Sequence, residues 1–80
     1  MATYFVALPF MILDDGTQAA GEPKEFPSAH AVKSCANTMA LDERNCGAVA
    51  FSRNGDSELG EFADAVVLQR FGDTPDDLNL

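Results

Sequence analysis

From Tyr4 to Leu13 the chain is apolar almost without interruption, and the residues divide by parity. Tyr4, Val6, Leu8, Phe10 and Ile12 share one face of an extended segment, and Phe5, Ala7, Met11 and Leu13 share the other. Aromatic and branched residues at this density predict a long first strand. Asp14-Asp15-Gly16 follows, with glycine to supply the positive φ of a hairpin turn. Pro9 has no N–H to give a ladder, so an edge position or a bulge is implied. Residues 17–26 contain Gly21 and Pro23. They read either as a ragged second strand returning along the first or as loop.

Pro27-Ser28 opens a helix, with the Ser28 hydroxyl as N-cap. Over 29–41, Val32, Cys35, Ala36 and Met39 recur at helical spacing and form one apolar stripe. Gly47 lets the chain turn out of the helix. A short strand from Ala48 to Arg53 is predicted next, followed by a turn at Asn54-Gly55-Asp56 and a polar loop over 57–62. In 64–71 the branched run Val66-Val67-Leu68 favours a strand, while Phe62, Val66, Gln69 and Arg70 also fit a helix; Gly72 as terminator selects the strand.

These elements predict an α+β domain with a small antiparallel sheet of three to four strands and one helix on one face, in β(β)αββ order. The domain spans 1–75, and 76–80 reads as a frayed acidic tail. A burial problem follows. One helix covers one face of a sheet, yet the first strand is apolar on both. Phe5, Met11 and Leu13 are the residues expected to lack cover, each forgoing ~1.5–3 kcal/mol if left in water. Either a bulge at Pro9 turns half of the strand's side chains inward, or the cover is the tail, the 17–26 segment, a foreign protein partner, or a second copy of the chain meeting it as a C2 dimer.

Charge narrows the partners. Thirteen acidic residues against five basic give a net charge of −8. Lys24, Lys33, Arg44, Arg53 and Arg70 are scattered, so no basic stripe offers itself to a phosphate backbone or an anionic membrane. Nucleic acid and membrane are not expected partners. The apolar run has no basic residue before it, is broken by Pro9, and is too short to span a bilayer as a helix. A cytoplasmic location is expected, with Cys35 and Cys46 as reduced thiols.

Candidate chemistry is sparse. Cys35 and Cys46 form no CxxC. His30 falls in the first helical turn and does not share a helix face with Cys35. A small-molecule or metal site near Cys35, Cys46 and His30 is the alternative to an interaction module. Asp56, Glu58, Glu61 and Asp64 lack the order of a calcium loop and read as a solvated turn. No phosphate loop or nucleophile motif is present, no cofactor is implied, and no enzymatic activity is expected.

The segment Gly47-Ala48-Val49-Ala50-Phe51-Ser52-Arg53-Asn54-Gly55-Asp56, with Leu59-Gly60-Glu61-Phe62 and Arg70-Phe71-Gly72-Asp73-Thr74-Pro75, resembles a group of short uncharacterised α-proteobacterial proteins of rhizobial type. The resemblance covers the C-terminal half well and the first strand loosely. It implies a bacterial source and a small α+β fold, favours the strand at 64–71, and carries no site residues. The functional expectation is a non-enzymatic module that binds a protein partner or forms a homodimer.

Overall fold

The computed structural model describes residues 2–56 and 58–78. These form an α+β domain of one helix and an antiparallel sheet. The strands are β1 (Ala2–Ile12), β2 (Gln18–Ala20), β3 (Lys24–Phe26), β4 (Gly47–Asp56), β5 (Glu61–Phe62) and β6 (Val66–Gly72); α1 (Ala29–Leu41) lies between β3 and β4. The strand count is six, not three to four. Each long central strand has an outer neighbour broken in two: β2 and β3 both pair with β1, and β5 and β6 both pair with β4.

Pro9 explains the first break. β1 is not an edge strand; it pairs with β4 along nine residues, Pro9 opposite Ala48. Its other side carries the irregularity. Phe10 pairs with Ala20 and Ala7 with Lys24, so Leu8 and Pro9 face three residues, 21–23. The bulge implied by Pro9 therefore lies in its neighbour. Gly21 donates its N–H to the Pro9 carbonyl at 2.8 Å, which places the missing proline donor where the neighbouring ladder is already interrupted.

The hairpin turn after β1 is built as its sequence suggests. Gly16 donates to the Leu13 carbonyl and has φ +86, a three-residue loop closed by a left-handed glycine. Asn54-Gly55-Asp56, in contrast, is strand. Ala2 and Thr3 extend β1 far enough to pair with Gly55 and Asn54, so β4 continues and the chain reverses beyond it, with Gly60 at φ +69. Gly55 serves a different purpose there: a Cβ would collide with the Phe62 ring, which lies over it. Of the stretch read as loop, Ser57 lies outside the described residues, and Glu61–Phe62 form β5.

Ser28 caps α1, its hydroxyl accepting from the Ala31 N–H at 3.1 Å. The predicted stripe faces the sheet, with Val32 and Ala36 fully buried and Met39 packed beside them. The floor beneath is made of small residues: Ala7 from β1, and Ala48 and Ala50 from β4, all at 0% exposure. Phe5, Phe26, Leu68 and Phe71 close the flanks.

This settles which face of β1 the helix takes. Phe5 and Ala7 are beneath α1, whereas Leu8 and Phe10 point to the opposite face with Val49 and Phe51. The expectation for Phe5 is thereby corrected, because the alanines admit the helix on that side and the bulkier row remains on the other. Ala36→Leu is expected to destabilise the fold by ~1–3 kcal/mol through overpacking against this floor, read as a lower urea midpoint at unchanged slope.

Candidate functional site

The helix-free face falls into two halves. In one half, Leu8, Phe10, Val49 and Phe51 form a buried cluster, and the partly buried hydrophobics packed against it, Val6, Cys46, Ala65 and Leu78, come from outside the helix. Part of its cover is the end of the chain. Gly72 has φ +70, a Cβ on Gly47 would strike the Phe71 and Asp73 carbonyls, and the Asp73 N–H donates to the Cys46 carbonyl at 2.9 Å. Two glycines therefore allow the chain to leave β6 closely against the start of β4.

Arg70, opposite Val49 and so on the same face, then holds the tail. Its guanidinium donates to the Pro75 carbonyl at 2.7 Å, and to the Asp76 carbonyl and the Thr74 hydroxyl at 3.3 Å each. Leu78 packs against the buried cluster. Residues 76–78, read from sequence as the start of a frayed end, lie on this face; 79 and 80 fall outside the described residues.

The other half is open. A groove of about 510 Å³ runs across the strands, lined by Tyr4 and Val6 of β1, Phe51 and Arg53 of β4, Pro23 and Glu25 beside β1, and Phe62 of β5. The Tyr4 and Phe62 rings meet at 6.0 Å with a 51° tilt. Phe62 remains 52% exposed, and Val67, opposite Phe51 on the same face, 40%. Leu59 and Val66 add further exposed apolar surface within the same short stretch of chain.

Arg53 is the cation of this groove. Its guanidinium carbon stands 6.0 Å from the centroid of the Phe51 ring, a cation–π arrangement. Its Nε is buried with no hydrogen-bond partner among the described residues. A buried N–H of this kind costs desolvation that only an acceptor recovers.

The residues singled out from sequence lie elsewhere. Phe5 is packed under α1. Met11 lines a separate cleft of about 430 Å³ on the helix side, together with Cys35 and Met39. Leu13 follows β1 at the hairpin turn, 45% exposed, its N–H donating to the Thr17 carbonyl. The three do not form one surface. Cys46 packs on the helix-free cluster and donates its thiol to the Phe10 carbonyl at 3.4 Å, so the sheet separates it from Cys35. His30 is exposed at the start of α1. These three side chains do not converge, both thiols are free, and among the described residues no group of three or more His, Cys, Asp or Glu is placed to hold a metal ion.

The open groove escaped sequence reading because Arg53, Tyr4 and Phe62 come from three strands whose register was unknown. The one available signal was parity: Tyr4 and Val6 belong to the face that the helix did not take.

Electrostatics elsewhere are local. The Thr17 hydroxyl and N–H bonding to Asp15 lower that carboxyl's pKa. At the end of α1 the hydrogen bonds from the Arg44 side chain and N–H hold Asp42 down to about 2. No protein-family model, curated protein or solved structure matches the chain. Among the described residues no helix is long and apolar enough to cross a membrane.

Two expectations follow. Because the folded Asp42 carboxyl lies below its ordinary 3.8, its bonds stabilise the fold above about pH 4, and that contribution is lost as pH falls toward 2. Carboxyl-detected NMR should show Asp42 titrating near 2 and returning toward 3.8 in Arg44→Ala. Arg70→Gln should free the tail at a cost of at most about 1 kcal/mol, the guanidinium being exposed. Faster proteolysis after residue 72 and increased binding of an apolar dye to the uncovered cluster would register it.

Proposed function

We propose that this chain is a non-enzymatic interaction module that seats a polypeptide in the open half of its helix-free face. The carrying observation is the groove itself: the aromatic pair Tyr4 and Phe62 and the half-exposed Val67 border a sheet face that is otherwise closed by the tail. Exposed apolar surface gathered at one place, with aromatic anchors, is the character of a binding surface. The groove is shallow and open, which suits a chain segment better than an enclosed small molecule. A cytosolic setting agrees with two free thiols. The homodimeric form of this reading places a second copy on the same groove.

Panning a library of random displayed peptides on the immobilised full chain tests the proposal. Selected peptides should bind the wild-type chain and lose at least about tenfold in affinity on Phe62→Ser, as expected for removing a buried aromatic anchor. Phe62 lies on an outer strand and is half exposed, so the variant should keep the wild-type circular dichroism spectrum. No selected peptide, or binding indifferent to Phe62, would overturn it. Sedimentation of the chain alone reads the dimeric form: a concentration-dependent mass abolished by Phe62→Ser assigns the groove to a second copy.

A further inference from the structure

The tail shows what kind of segment this face accepts. Residues 73–78 read Asp-Thr-Pro-Asp-Asp-Leu, an acidic stretch ending in one apolar side chain. It is held where an arginine on the face, Arg70, donates to its backbone carbonyls while Leu78 enters the apolar cluster. Arg53 stands on the same face, one strand inward on β4. It too borders an apolar surface, its Nε buried with no hydrogen-bond partner among the described residues.

Resting on the interaction-module reading, we infer that the open groove takes an extended segment of a partner protein carrying an acidic residue beside an apolar one. Arg53 receives the carboxylate, and the apolar side chain enters between Tyr4, Val6, Phe51 and Phe62. Three observations converge on this occupant. Arg53 is the cation lining this groove, and a carboxylate meeting a guanidinium makes the strongest neutralising pair available to it. The guanidinium carbon lies 6.0 Å from the Phe51 ring centroid, and a guanidinium set over an aromatic ring is pre-organised, so that less freedom is lost when a ligand binds. The groove crosses from β3 to β5, about three strand spacings or ~14 Å, the reach of four to five extended residues.

Glu25 stands on the far wall, paired with Val6 and two strands from Arg53. It fixes polarity: an acidic group is accepted at the Arg53 end and repelled at the β3 end. The protein as a whole carries −8, so non-specific attraction recruits basic peptides. Selection of an acidic residue therefore runs against the overall field and reports the local cation.

The peptides recovered by panning on the full chain decide the matter. They should be enriched in Asp or Glu next to Leu, Ile, Val or an aromatic residue. Arg53→Gln should weaken them by about tenfold or more, the effect of removing a charge-assisted hydrogen bond, while leaving the melting temperature near wild type. Replacing the selected acid by its amide should cost the wild-type chain a similar factor and the Arg53→Gln chain almost nothing. Amide shifts on binding should fall on Tyr4, Val6, Arg53 and Phe62.

Peptides that need Phe62 but lack an acidic residue, or that bind Arg53→Gln equally, overturn the carboxylate while leaving the module reading intact. Shifts confined to Leu8, Phe10 and Val49 would mean exchange with the tail and also overturn it, as would a dilution-dependent mass showing a second copy in the groove. If nothing is selected, both readings fall together.

Discussion

The two central strands sort their side chains by size as well as by face. Beneath α1 they present Ala7, Ala48 and Ala50; on the opposite face they present Leu8, Phe10, Val49 and Phe51. Small residues permit close approach, so Val32 and Ala36 reach the sheet and leave almost no room between the layers. Within the two buried clusters the consequence is an inverted distribution of apolar bulk: the residues that β1 and β4 bury away from the helix are the larger ones, while on the helix side Phe5 flanks a floor of alanines. Everything on that face, the Arg70-held tail and the open groove alike, follows from where this bulk was put.

The interruptions of the outer strands have a related origin. Pro9 sits in mid-sheet only because residues 21–23 step out of register beside it. On the other side, Phe51 pairs with Val67 and Ala50 with Gln69, which leaves Leu68 as the extra residue of a bulge. Leu68 packs with the helix-side cluster, so this irregularity carries one more apolar residue to the covered face. Both bulges fall in outer strands, while the central pair of β1 and β4 stays continuous. The continuous part of the sheet thus lies under both the helix and the groove.

Much of this was legible in the residues. The helix, its Ser28 cap, the glycine at the first turn and the strand ending at Gly72 each depend on local chemistry, and each appears where that chemistry puts it. The burial problem of β1 was legible too. Its resolution was not, because parity separates two faces without saying which one a helix will take. Deciding it required the partner strand: only beside Ala48 and Ala50 does Ala7 mark the helix side. The Asn54-Gly55 pair misled for the same reason. Its turn chemistry is sound, but pairing with Ala2 and Thr3 and the Phe62 ring above Gly55 outweigh it. Arg53 as a groove cation could not be read from a lone, scattered basic residue.

The tail that lies across the Phe10 and Val49 half is tethered to β6 by only a few residues. A short tether of this kind keeps its end at an effective concentration of order millimolar around the site it covers. Any free molecule present at micromolar levels must therefore bind the cluster about a thousandfold better than Leu78 does before it displaces the tail from half the sites. The covered half is in this sense reserved by mass action.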